Sequence, residues 1–259
     1  TSAPAQEQTE AAALFEAMAI PEVIGIMHEE GLEYGEELGA ELFPDRIGEA
    51  WPEAVARIHD PDVMEQEVAA RFSEMLSTVE LDPLLSFFRS DLGARIIRLE
   101  IEARRALMDP AIEEAASDKL AAMQDEQAPR LALLDEFVVA NDLVEANVVG
   151  SMNANFAFYT GMMEGSLDET DLTEAQILAD VWAQEDDIRL DTLDWVYSYL
   201  ALAYQPLDDD ELAQYTAVSA SPEGQALNRA LFAAFDDMYA TISRRLGAAA
   251  ARFMTGQDI

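Results

Sequence analysis

From Ala146 to Met163 the chain carries no charged residue, although Asp and Glu outnumber Lys and Arg by 52 to 15. So long an uncharged run in so acidic a chain predicts an interior segment, because charged groups are almost never fully buried without a partner. Coiled as a helix, it puts Ala146, Gly150, Ala154, Ala157 and Gly161 on one face and Val148, Met152, Phe156, Tyr159 and Met163 on the opposite one. Apolar or small groups all round describe a buried helix. Asn147, Ser151 and Asn153 flank the small-residue face, and buried amides need partners, so specific hydrogen bonds are expected to fix its rotation. A membrane span is rejected: three asparagines, Ser151 and Thr160 fall within barely enough residues to cross a bilayer, and no basic flank follows.

Composition narrows the remaining choices. At 259 residues, half of them apolar, the chain can bury a substantial core. A net charge of −37 argues against nucleic acid and anionic membrane surfaces as partners, and leaves a protein or peptide partner, possibly basic, a divalent cation, or an acidity that only keeps the chain solvated. With no cysteine, thiolate zinc sites, cysteine nucleophiles and disulfide frameworks are out. The first ten residues, TSAPAQEQTE, have neither a basic nor an apolar region. They predict a flexible tail over 1–10 and a mature exported protein, hence a periplasmic one. A single lysine, Lys119, stands against fourteen arginines, which reads as compositional bias.

Along the chain, a first helix is expected from Thr9 to just before Pro21, and a second from Pro21 to about Phe43, stopped by Pro44. The second is amphipathic: Glu22, Glu29, Glu33, Glu36 and Glu37 face one way, while Ile24, Met27, His28, Leu38 and Leu42 face the other. Gly31, Gly35 and Gly39 share that apolar face at a cost of about 0.5–1 kcal/mol each, which predicts close approach of another helix. Asp60-Pro61, Asp82-Pro83 and Asp109-Pro110 read as three capped helix starts. Leu92, Ile96, Leu99, Ala103 and Leu107 form a stripe, with Arg98–Glu102 and Glu100–Arg104 spaced for exposed ion pairs. The charge-balanced stretch from Leu81 to Asp109 reads as a satisfied salt-bridge network, or else as a partner surface.

After Pro129 a long helix runs from Arg130 to Met163 with a bend near Asn141; Gly165 ends it and an acidic loop follows. Thr173 with Gln176, and Asp208 with Glu211, make capping boxes, and Ser221-Pro222 starts a helix carrying Leu227, Leu231, Ala234, Met238 and Ile242. No stretch alternates apolar and polar residues, so the fold class is all-α.

The two halves resemble one another. Leu14–Ile24 aligns with Leu134–Val144, and Leu84–Gly93 with Tyr215–Gly224, so that Ser90 with Gly93 mirrors Ser221 with Gly224. The expected architecture is two tandem helical repeats, 11–128 and 129–255, related by pseudo-twofold symmetry and packed through long central helices. Their Gly31/Gly35/Gly39 and Ala146/Gly150/Ala154 faces are expected to meet.

An acidic helix start followed by an aliphatic or aromatic run and Ser-Pro-x-Gly, here Asp209-Asp210-Glu211-Leu212 through Ser221-Pro222-Glu223-Gly224, resembles the exported bacterial proteins of the uncharacterised family DUF2059. The second copy carries the motif best; the first has Asp91-Leu92 where Pro-Glu stands in the second. The resemblance implies an all-helical periplasmic protein with no established activity or catalytic residues.

Chemistry is sparsely signalled. His28 and His59 lack the spacing of a zinc site, so no metal is expected. His28 is a weak candidate for a buried general base beside its reading as a structural histidine, and His59 reads as a loop residue. No G-x-S-x-G, phosphate loop or dinucleotide fingerprint occurs, so no cofactor is expected. Asp208–Glu211 lacks the ligand alternation of a calcium loop and is explained by a helix N-terminus. Trp182, Trp195, Tyr199 and Tyr204 are candidate ligand-binding aromatics, weighed against core packing. The leading expectation is a non-enzymatic protein- or peptide-binding module; the alternative is a carboxylate/His hydrolase or lyase with a cavity between the halves.

Overall fold

The structure, a computed structural model, describes the backbone of residues 3–44, 50–166 and 173–255, and the side chains of that set from residue 10 onward. The described residues are all-helical, in thirteen helices. In chain order these are α1 (Ala3–Ala17), α2 (Ile20–Leu42), α3 (Ala50–Ile58), α4 (Pro61–Met75), α5 (Asp82–Phe88), α6 (Asp91–Ala106) and α7 (Pro110–Asp125). There follow α8 (Arg130–Ala140), α9 (Leu143–Gly165), α10 (Glu174–Trp182), α11 (Glu185–Ala203), α12 (Asp209–Ala220) and α13 (Pro222–Met254). Among them no single helix is long and apolar enough to cross a membrane; Glu10–Ala17 and Ile20–Leu42 pass that test only together, across a 57° bend.

Local chemistry sets most helix ends. Asp60 Oδ1 accepts from the backbone N–H groups of Asp62 and Val63 at 3.0 and 3.2 Å, and Asp109 Oδ1 accepts from Ala111 at 2.9 Å. Asp82 does not follow this pattern. It is the first helical residue of α5, the cap position is Leu81 with no side-chain bond, and Pro83 takes the next position, where its missing N–H is harmless. Both capping boxes form, at Thr173/Gln176 and Asp208/Glu211. α1 starts at Ala3 rather than at Thr9, whose side chain lies outside the described residues, as does the acidic stretch Leu167–Leu172. The long helix expected from Arg130 to Met163 is two helices. Asn141 ends α8, and Asp142 turns the chain through the left-handed region (φ 49°) into α9. Ala19 (φ 50°) does the same between α1 and α2.

The chain forms two compact units, each drawn from three segments. Unit one comprises residues 1–23, 69–147 and 189–233. Here α12 packs on α8, and α5 on α6 and α1. Its core holds Leu14, Phe72, Leu84, Ile96 and Leu134, all at most 1% exposed. Aromatic edges join these parts: Phe15 meets Phe72 at 5.6 Å, and Phe137 meets Tyr204 and Tyr215 at 5.2 and 5.0 Å.

Unit two comprises 24–68, 148–188 and 234–259. Leu38, Phe43, Trp51, Val55, Leu246, Ala249 and Ala250 form one buried cluster within it. Trp51 is its centre: the indole N–H donates to the Gly35 carbonyl at 2.7 Å, and the ring meets Phe43 and Phe253 edge-on. The amphipathic reading of α2 holds, with Glu22, Glu29, Glu33, Glu36 and Glu37 exposed and Ile24, Met27, Leu38 and Gly39 buried.

α9 departs from the sealed rod expected of it. Only Val148, Gly161 and Gly165 are fully buried, while Val149, Ser151, Asn153 and Tyr159 are exposed and Gly150 and Ala154 are half-buried. An uncharged surface of small and amide side chains is less apolar than its lack of charge suggests, and part of it is left to water. Among the described residues the expected locking bonds are accordingly few: Asn147 donates back to Leu143 of its own helix at 2.6 Å, and Asn155 reaches outward, to Gln184 at 3.2 Å. Nor do the glycine faces of α2 and α9 meet. A Cβ at Gly31, Gly35 or Gly39 would run into the His59, Val55 or Trp51 side chain from α3 and its C-terminal end, whereas one at Gly161 or Gly165 would run into the α13 backbone at Arg244 and Ala248.

Candidate functional site

In unit one a cleft of about 290 Å³ opens between α7, α8, α11 and the connection leading into α12. Met123 of α7, Leu134 of α8 and Leu200, Ala201 and Leu207 supply its apolar wall; Lys119, Arg130, Gln205 and Asp209 supply polar groups, and Tyr204 separates it from the core.

Arg130 builds the far rim. Its Nη1 donates to Asp209 Oδ1 at 2.5 Å, and its Nη2 donates to the carbonyls of Tyr204 and Leu207, both at 2.9 Å. These carbonyls belong to the end of α11 and the turn after it, where helical carbonyls have no intrahelical partner, so a guanidinium fork satisfies them. Arg95 grips the same turn from α6, donating to Pro206 O at 2.6 Å and pairing with Glu211 at 2.7 Å. The connection between α11 and α12 is therefore held by two arginines and a capping box.

Behind the cleft lies a carboxyl that the helix pattern placed outside. Glu100, expected to pair with Arg104 at the surface, is partly exposed as a residue, but its carboxyl is turned inward and desolvated. Tyr204 Oη donates to Glu100 Oε1 at 2.6 Å, Tyr215 donates to the same carboxyl, and Tyr199 Oη donates to the Glu100 carbonyl at 3.2 Å. Burial pushes this carboxyl up to about 6, against the pull of the two phenols that hydrogen-bond its charged form. The phenols of Tyr199, Tyr204 and Tyr215 are pushed upward in turn, by burial first and then by Glu100. They stay protonated and act as donors.

Lys119 stands apart from this bonded network. The only lysine in the chain is exposed on α7 at the rim of the cleft, and it has no ion pair among the described residues. The lining thus holds one cation free to act and another, Arg130, already committed. Neither serine, threonine nor histidine lines the cleft.

Of the aromatic candidates, Tyr204 alone lines it. Trp195, 38% exposed, stacks flat on Tyr199 at 5.3 Å, while Trp182, 57% exposed, ends α10 in unit two. His28 and His59 both lie in unit two: His28 Nδ1 donates to the His59 carbonyl at 2.6 Å, and His59 Nδ1 donates to the Val55 carbonyl at 2.9 Å. A carbonyl can only accept, so both rings are protonated at Nδ1. His59 lies in the connection between α3 and α4, as expected of a loop residue, yet it is buried: it is 5% exposed, its ring packs on Gly31, and burial, with His28 nearby, lowers its pKa against the effect of the Val55 bond.

In Asp208–Glu211 the carboxylates serve structure, Asp208 as cap, Asp209 on Arg130 and Glu211 on both Arg95 and the capping box. Among the described residues no group of three or more His, Cys, Asp or Glu is placed to hold a metal ion. Sequence reasoning missed Lys119, Arg130 and Glu100. The uniqueness of Lys119 was the only signal available for any of them.

Residues 62–122 match the family described as an uncharacterised protein conserved in bacteria, DUF2059. The match covers α4 to α7 and so contains Ser90-Asp91-Leu92-Gly93; it does not lie on Asp209–Gly224, where the sequence resemblance was read. No curated protein and no solved structure matches the chain.

Proposed function

We propose that this is a periplasmic, exported bacterial protein that binds another protein or peptide and catalyses no reaction, with the cleft of unit one as its binding place. The observation that carries this reading is an apolar-walled cleft bearing an unpaired lysine, whose other charged groups, Arg130 and Asp209, are engaged in holding the fold. Such a site offers contact area and one charge, and no activated nucleophile or paired acid and base. The −37 charge favours a basic partner. In the enzyme alternative the base would be His28, whose Nδ1 is occupied by a carbonyl rather than oriented by a carboxylate.

The binding unit is best read as the product of a tandem duplication, with copies at 11–128 and 129–255. Helices α1–α6 and α8–α13 follow one another in the same order, with α7 between them. α2 and α9 are each 23 residues, and α3 and α10 are each 9. Ser90 accepts from Gly93 N at 3.1 Å and donates to Phe87 O at 2.6 Å; Ser221 accepts from Gly224 N at 3.0 Å and donates to Val218 O at 2.7 Å. The left-handed turn residues set Ala19 opposite Asp142, three residues beyond the Val139 that the sequence alignment gives it.

A photo-crosslinking residue in place of Gln205, exposed at the cleft, tests the binding reading, with one in place of the exposed Gln124 outside it as control. Illumination in periplasmic extract should give a discrete protein or peptide adduct from the Gln205 position only. Equal labelling from both positions, or none, overturns the reading.

A further inference from the structure

Resting on that binding role, we propose that the cleft captures the free C-terminus of a peptide that ends in an apolar residue and carries basic residues just before it. The last side chain fills the apolar wall, the terminal carboxylate sits on the Lys119 ammonium, and the basic residues lie over neighbouring acids of the same unit.

Size argues first. A volume of about 290 Å³ is at the bottom of the range for ligand pockets, enough for one apolar side chain with its carboxylate and too little for a folded element. A chain end is the part of a peptide that offers one side chain together with a full charge.

Charge then selects the sign. Arg130 is paired with Asp209 and donates to two carbonyls, so the cation left without a pair in the lining is Lys119. An ammonium beside apolar walls suits an anion joined to an apolar group, as in the recognition of peptide C-termini elsewhere. The whole molecule nevertheless repels small anions. Beyond a Debye length of about 8 Å at physiological salt, a simple carboxylate meets only the excess of acids, whereas a peptide with net positive charge is attracted. Exposed acids adjoin the lining in sequence: Asp118 next to Lys119 and Asp210 next to Asp209. Gln205, exposed at the lip, supplies an amide able to bond the backbone of an extended peptide.

Fluorescence anisotropy of the full chain with a labelled peptide ending in Arg-Arg-Gly-Leu, as free acid and as C-terminal amide, tests this. The acid should bind about two- to fivefold more tightly than the amide, the range of an exposed charge pair. Lys119→Glu should abolish that ratio while leaving helicity by circular dichroism unchanged, since the residue is exposed. Equal binding of acid and amide, or an unchanged ratio in the variant, overturns C-terminal capture and leaves peptide binding standing. Displacement of the probe by octanoate as efficiently as by unlabelled acid peptide overturns the peptide source. Binding of neither probe, together with no adduct at position 205, overturns both readings.

Discussion

α2 and α9 are each 23 residues long, each begins after a left-handed turn residue, and each carries glycines one turn apart along one face. They use those glycines differently. On α2 the missing side chains make room for the ends of side chains: His59 over Gly31, Val55 over Gly35 and Trp51 over Gly39. On α9 they admit main chain, with Gly161 and Gly165 against the α13 backbone and Gly247 of α13 against Phe158 and Met162 in return. The lesson is one of compliance. A side chain can turn aside, whereas the backbone of a long helix moves only as a body, so the same spacing is tolerant on one helix and strict on the other.

That contrast is most exposed by adding a methyl group to each. Gly161→Ala puts its Cβ into the Arg244 carbonyl and should lose about 3 kcal/mol of stability, overpacking outweighing the roughly 1 kcal/mol gained in helix propensity. Gly35→Ala meets Val55 methyls, which can shift, and should lose only about 1 kcal/mol. Urea unfolding of both variants measures the difference, and equal losses would end the distinction between the two faces. Gly39→Ala should fall between them, because the indole that it displaces is also bonded to Gly35.

The turns that lead into the two helices sharpen the comparison at smaller scale. Alanine is poorly suited to positive φ, whereas aspartate tolerates it, so Ala19→Gly should gain about 0.5–1 kcal/mol and Asp142→Gly close to nothing. A melting-temperature rise for Asp142→Gly equal to that for Ala19→Gly would contradict this.

A last contrast concerns titration on each face. Asp236 packs on Gly150 of α9, and burial, then Asp237, pushes it up to about 6 from 3.8. The folded state therefore holds a proton that the unfolded state releases, and this contribution to stability fades as pH rises from 4 through 6. His59, packed on Gly31 of α2, has the opposite sign: its lowered pKa means that the unfolded chain binds the proton first, and stability falls as pH drops below 6.5. Asp236→Asn should raise stability at pH 7 and remove the first dependence, and His59→Asn should flatten the second. Thermal melts between pH 4 and 8 read both slopes.

Where the sequence was legible, the signal was local. Asp60, Asp109, Thr173, Asp208, Ser90 and Ser221 each cap a helix within three residues of themselves, so their neighbours in sequence suffice to predict them. The amphipathic face of α2 was equally plain, since five glutamates on one side admit one orientation. The cleft was not legible in this way. Lys119, Arg130, Leu200 and Asp209 come together from four separate stretches, and nothing in the spacing of any one of them points to the others.

The sequence by itself determined an all-helical chain, most of its helix ends, and the closeness with which Gly93 and Gly224 let a new helix start against the one before. Tertiary structure alone decided what each helix face meets: that the Glu100 carboxyl turns inward to tyrosines, that the glycines of α9 meet α13 and not those of α2, and that part of the uncharged segment stays wet. The physical reason is range. Caps and turns are settled by hydrogen bonds within a few residues, whereas burial depends on which distant surface arrives, and an uncharged face or an acid at ion-pair spacing is compatible with several.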